Sequence, residues 1–230
     1  MVRRRSWALI TNQGTIGAVH WVEIDGVRLP KRLGGHPALD FCNTWAGWGA
    51  TSDIEEARRE WLSSYDVLLT WSVHVELVSQ DDADVLRRRA VRRKAEATGV
   101  LERARELRVA VHDAVLDPSD AQALAALTPE VRRAGSLVHV VPPGSDGQAA
   151  RLAVGTEAGL ELPVLAVAWS AADLLSNPDV AKVHACPGVD CGWLFLDTRG
   201  RRRWCDMAAC GNRAKVAAHA RRMRERAQAV

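Results

Sequence analysis

Four of the chain's five cysteines form two matched pairs near its C-terminus, and no other feature limits the fold so sharply. They read Cys186-Pro187-Gly188-Val189-Asp190-Cys191 and Cys205-Asp206-Met207-Ala208-Ala209-Cys210, a C-x4-C-x13-C-x4-C pattern. Two thiols from one tight turn brought against two from another are what a tetrahedral Zn²⁺ needs. With four thiolates and no open position, such a site is structural rather than catalytic. Disulfides do not suit a reducing compartment, and iron–sulfur ligation is the main chemical competitor. His184 and His219 lie near enough to substitute as ligands, but read better as a loop and a helix-surface residue. A segment of about 45 residues builds little core by itself. Metal binding is therefore expected to supply its folding free energy, on the order of 10 kcal/mol.

The residues around the cysteines suit that reading. Pro187 stiffens the first turn, Gly188 permits unusual backbone angles, and Gly192 lets backbone N–H groups approach the sulfurs. Trp193 to Asp197 reads as a strand, Thr198-Arg199-Gly200 as a turn, and Arg201 to Trp204 as the returning strand. This predicts a hairpin between the cysteine pairs. A helix then starts near Met207, with Cys210 in its first turn, where the positive helix end favours a thiolate. Trp193, Phe195 and Trp204 are expected to pack as a small core.

Charge follows the same geography. Residues 199–226 hold ten basic and two acidic side chains, a net of +8, which leaves the rest of the chain at −5. A Zn²⁺ tetrathiolate carries −2 and offsets only part of this surplus. Lys215, His219, Arg222 and Arg226 recur at helical spacing on one face, with Arg201, Arg202 and Arg203 on the hairpin arm. Val216, Ala220 and Met223 fall on another face that can pack inward. Such a stripe suits a phosphate backbone, and a helix fits a major groove. Phosphate contact gives affinity rather than sequence choice. Asn212 is read as holding the zinc loop, and Arg213 is left between that role and nucleic-acid contact.

Upstream, residues 20–183 read as one α+β body, rich in helix with a few short strands, followed by a finger over 184–230. Residues 1–19 are a possible N-terminal extension. Their basic start and short apolar run are cut off by Asn12-Gln13-Gly14, too early for a secretory signal. No uninterrupted apolar run is long enough to predict a spanning helix, so a cytoplasmic protein is expected. Trp21 to Leu29 predicts a hairpin around Asp25-Gly26. Helices are predicted from Asp53, from Asp66, from Ser79, over Glu96 to Leu116 and from Asp120. Ser136–Val141 and Arg151–Gly155 predict a strand pair, and Leu162–Leu175 a buried helix. The body lacks GxGxxG, Walker and nucleophile-elbow motifs. His36, His74, His112 and Asp40 are available to an active site, but no spacing links them, and an enzyme is not expected.

The finger block, from Cys186-Pro187 through Cys191-Gly192, Phe195-Leu196-Asp197 and Arg201-Arg202-Arg203-Trp204-Cys205-Asp206-Met207 to Cys210-Gly211-Asn212-Arg213-Ala214-Lys215, resembles the CGNR zinc finger. His36-Pro37-Ala38-Leu39-Asp40-Phe41-Cys42-Asn43-Thr44 is similar to the Leu-Asp-Phe-x-Asn-Thr opening of the bacterial ABATE domain. The resemblance implies a stress-induced transcription regulator with a zinc-dependent DNA-binding end. It implies Cys186, Cys191, Cys205 and Cys210 as ligands of one structural Zn²⁺, and names no catalytic residue. Nucleic acid, most simply duplex DNA, is then the expected partner, met by Arg201, Arg202, Arg203, Arg213, Lys215, Arg222 and Arg226. The body would sense a small effector or mediate homodimer formation. RNA is a variant of this reading, and docking on an acidic protein is the rival one. For Asp40 and Asn43 two readings stand: a ligand pocket, or a turn held by their hydrogen bonds over a buried Phe41. We favour the turn, and read Cys42 as a small buried residue.

Overall fold

The structure is a computed structural model that describes residues 20–49, 59–143 and 149–228. The proposed N-terminal extension and the helix expected from Asp53 lie outside the described residues.

The chain enters through β1 (Trp21–Ile24) and β2 (Val27–Pro30), antiparallel and joined at Asp25-Gly26. Both turn residues have positive φ, 50° and 76°, the geometry that makes Asp-Gly a hairpin turn. The stretch His36–Thr44 opens as a short helix, α1 (Pro37–Cys42). The Nδ1 of His36 accepts from Ala38 N–H at its start, and Pro37 fits the first turn, where its missing N–H costs nothing. Two-residue strands β3 (Trp45–Ala46) and β4 (Arg59–Glu60) pair next.

The helical layer comprises α2 (Tyr65–His74), α3 (Gln80–Arg92), α4 (Lys94–Leu116) and α5 (Ala121–Gly135). Ser79 and Asp120 cap α3 and α5 as expected. Ser64 rather than Asp66 caps α2, accepting from Val67 N–H, which frees Asp66 to pair with Arg87 at 2.7 Å. The β5 (Val138–Val141) and β6 (Arg151–Val154) pair precedes α6 (Leu162–Ser176). The stretch Thr156–Ser176 is long and apolar enough to cross a membrane. Its apolar surface is instead spent inside the fold, against α1, α4 and α5.

The core runs from Leu29 through α1, α2, α4 and α6, with Phe41 tilted against Trp71 at a ring-centroid distance of 5.3 Å. A second cluster gathers the four paired cysteines with Trp193 and Phe195. It is reached through β7 (Val183–Ala185) and β8 (Leu194–Leu196), and left through a wide π-type turn, Met207–Gly211, into α7 (Asn212–Gln228).

Here the expected hairpin is corrected. The strand Leu194–Leu196 pairs with Val183–Ala185, before the first cysteine pair, and not with Arg201–Trp204. The far side of β8 is already engaged by the body, since Leu196 N–H donates to Gly34 O at 2.8 Å. The Asp197 carboxylate, buried, accepts from Arg201 N–H at 3.0 Å and Arg202 N–H at 2.8 Å, curling that segment into a loop.

Candidate metal centre and the basic helix

The first cysteine pair sits on the turn of the β7–β8 hairpin. Cys186 N–H donates to Trp193 O at 2.8 Å, Cys191 N–H to Gly188 O at 3.0 Å, and Gly192 N–H to Cys186 O at 3.3 Å. Closing so tight a turn requires left-handed backbone at Asp190 and Gly192, φ 57° and 68°. Gly188 matters for space rather than for angle: a Cβ there would lie 3.0 Å from Cys210 Sγ. Gly192 is needed on both counts, because a Cβ would come within 2.5 Å of Gly49 N and 2.7 Å of Trp48 Cβ.

The second pair comes from the loop after Trp204 and the π-type turn, which Asp206 caps by accepting from Ala208 N–H at 2.8 Å. All four Sγ atoms lie within 4.8 Å of one another, and all four residues are buried. The Cys191–Cys205 and Cys205–Cys210 sulfurs are 3.7 Å apart. A zinc tetrathiolate with Zn–S of about 2.3 Å has edges of about 3.8 Å. The donor set and its spacing therefore fit one structural Zn²⁺, held by Cys186, Cys191, Cys205 and Cys210. Thiols this close compete for protons: donation from neighbours drives Cys186 and Cys210 down, while Cys191 and Cys205 are driven up. When bound, a divalent cation takes all four as thiolates and cross-links the two loops. Neither His184 nor His219 joins the set.

Around the sulfurs, Cys205 N–H approaches Cys186 Sγ at 3.4 Å, and the Arg213 guanidinium donates to Cys210 Sγ at 3.1 Å. Both contacts spread thiolate charge. Asn212, expected to hold this loop, is exposed and makes no side-chain hydrogen bond among the described residues; Arg213 takes that place. The His20 ring stands edge-on to Trp193 and brings Nε2 to 3.9 Å from Cys210 Sγ. Nothing in the sequence marked His20, since it lies 190 residues from that cysteine.

The body grips this centre through its Leu-Asp-Phe-x-Asn-Thr motif. Asn43, fully buried, donates through Nδ2 to Leu194 O at 2.9 Å and accepts at Oδ1 from Leu194 N–H at 2.8 Å. Asp40 Oδ1 accepts from Gly34 N–H at 2.8 Å, and burial pushes its carboxyl up to about 6. Thr44 receives Arg108 Nη1 at 2.9 Å, and that guanidinium also pairs with Glu60. The Trp193 indole donates to Trp45 O at 2.9 Å, and Trp48, stacked on His112 at 3.7 Å, covers Gly192. Asp40 and Asn43 are thus occupied by backbone groups, and neither lines the cavity beside Gly159 or the one between α6 and β6. Cys42 is wholly buried, and desolvation raises its thiol far above the usual range, leaving it inert.

The basic residues divide into two groups. Arg202 faces inward, lying over the Phe195 ring at 4.6 Å and donating to Leu33 O at 2.8 Å, Leu196 O at 3.3 Å and Cys205 O at 2.7 Å. Arg213 is committed to Cys210. Arg203 lies 5.4 Å from the Trp204 ring centroid and is exposed, as are Arg201, Lys215, Arg222 and Arg226. The inward face expected of α7 does not pack: no residue of the helix is buried, and Val216 and Met223 are 63% and 51% exposed. The reason is compositional. Alanines separate two large apolar residues that are too few to hold a helix onto the body.

Two family comparisons agree with this geometry. The CGNR zinc finger matches residues 182–223. ABATE, described as a "putative stress-induced transcription regulator", matches residues 35–178. No curated protein matches the chain. Both families are of regulator or zinc-finger type, and neither is an enzyme family. The matched order follows the chain from the Asn43-bearing body to the four-cysteine centre: the protein belongs to the ABATE family, with a CGNR zinc finger at its C-terminal end.

Proposed function

We propose that this protein is a transcription regulator that holds duplex DNA through α7 and the exposed arginines beside it. The supporting observation is the state of that helix. Six of its side chains are basic and one is acidic, and no residue is buried. The only ion pair there among the described residues is Arg221–Glu225, 3.7 Å apart and more than half exposed on both sides. A helix held at one end by a metal centre and bare along its length presents charge to a polyanion at little cost in rearrangement. Arg201, Arg203, Lys215, Arg222 and Arg226 are the proposed phosphate contacts, and Arg202 and Arg213 support the finger. The division at 183/184 is kept as a functional one, metal and cations downstream, body upstream. Work of this kind belongs in the cytoplasm, where thiols stay reduced for the metal.

The test is fluorescence anisotropy of zinc-loaded protein on random-sequence duplex DNA across a salt series. Affinity is expected to fall steeply with salt, and structured RNA serves as competitor. Binding that ignores salt, or none at low salt, overturns the reading. A second reading rests on Val216 and Met223, which repeat two turns apart on the bare helix. That pattern favours docking on an acidic protein partner or on a second copy of the chain. Capture that needs the finger and survives nuclease would select it.

A further inference from the structure

A cavity of about 480 Å³ opens between α6, β6 and the start of α1, within the size range of small-molecule sites, about 300–1,000 Å³. Trp169, Leu77, Val154 and Ala166 form its apolar wall, and Leu152 extends it. The register of β5–β6 explains why that wall is open. Val138 faces Val154, and Val140 faces Leu152, on one side of the hairpin. Val154 is 8% exposed, whereas Leu152 and Val140 are 54% and 66% exposed. The apolar face therefore continues past the core, with nothing laid upon its outer half among the described residues.

Charge at the rim is of both signs. Arg151 has no ion pair among the described residues. Among the described residues Asp173 pairs only with His36, whose Nε2 stands 3.7 Å away, and whose burial holds the imidazole toward its neutral form. Glu76, by contrast, is already matched by Arg32 at 2.8 Å.

We propose that this cavity binds a small aromatic acid bearing an amino or hydroxyl donor. Its ring lies against Trp169 and Leu152, its acid group meets Arg151, and its donor meets Asp173. The site also touches the finger's support. His36 lines the cavity and caps α1, and α1 ends at Asn43, which holds Leu194. As an effector site it rests on the regulator reading; as a binding site it does not, so binding is measured without nucleic acid.

The probe is 8-anilinonaphthalene-1-sulfonate, which joins aromatic rings, an N–H donor and an anion, titrated by fluorescence into full-length zinc-loaded protein. Saturation at one dye per chain is expected, with displacement by 4-hydroxybenzoate and none by benzylamine. Arg151→Glu and Leu152→Asp alter exposed positions, and each is expected to weaken the dye about tenfold. Arg222→Glu on α7 is expected to leave it unchanged. Absent binding, binding indifferent to both cavity variants, or binding lost in Arg222→Glu overturns the proposal. Loss of DNA binding beside an intact dye result removes the regulator reading and leaves the site standing.

Discussion

The Asn43 carboxamide closes on both backbone groups of Leu194, 151 residues away, with two hydrogen bonds of 2.8 and 2.9 Å in a fully buried setting. One side chain thereby serves as a strand partner for β8 and ties the zinc hairpin to α1. Asn43→Ala leaves a buried N–H and C=O without partners, and is expected to cost about 2–4 kcal/mol. Urea unfolding measures the loss. Hydrogen exchange should show amides of 183–197 opening well before those of α4. Equal protection of both segments in the variant would contradict the tie.

Metal removal is expected to act on the second cluster first. Elemental analysis should return one zinc per chain, and a strong chelator should red-shift the emission of Trp193 and Trp204 while most helical dichroism survives. The separation is expected because the helices of the body pack on a core of their own, apart from the four sulfurs. Cys205→Ser with Cys210→Ser should match the chelated state. Metal-free protein that keeps the native tryptophan spectrum would count against a structural ion.

The two groups of arginines make opposite predictions. Lys215→Ala with Arg222→Ala should flatten the dependence of log affinity on log salt by about two units and leave stability within about 0.5 kcal/mol. Arg202→Ala should leave the slope alone and lower stability by about 2 kcal/mol, since three backbone carbonyls lose a charged donor. A salt series and a urea curve on each variant distinguish the two.

Asp40 gives the body a pH signature. Burial, the largest effect, raises its carboxyl from 3.8 to about 6, against the pull of the Gly34 N–H. The folded state then keeps a proton that the unfolded chain has released between about pH 4 and 6. This group's contribution to stability is greatest below that window, falls as pH rises through it, and levels off above it with a cost on the order of 2–3 kcal/mol. Asp40→Asn keeps an acceptor for Gly34 and removes the titration. Its stability relative to the native chain should climb from pH 4 to pH 7, with the lowered His36, His74 and His112 cancelling in the difference. A flat difference would mean that Asp40 ionises normally.

What the sequence determined by itself is local chemistry. Cysteine spacing set the metal centre, Ser79 and Asp120 set helix starts, Asp25-Gly26 set a turn, and the uniformly apolar Leu162–Leu175 run set a buried helix. Each depends on residues a few positions apart, which is the reach of turns, caps and periodicity. Which groups already had partners emerged only on folding. Leu196 has its N–H taken by Gly34, so β8 pairs with β7 and Arg201–Trp204 is left to curl around Asp197. Arg202 and Arg213 look like their neighbours in the basic run, yet three carbonyls draw the first inward and a cysteine sulfur holds the guanidinium of the second, exposed as that residue is. Asn43 carries no mark that it will meet Leu194. For Leu196, Asn43 and the Leu33 carbonyl that Arg202 meets, the partners lie scores of residues apart, where sequence pattern carries no information about proximity. Arg213 and Cys210 are neighbours in sequence, but which arginine of the run turns to the sulfur depends on how the metal loop folds.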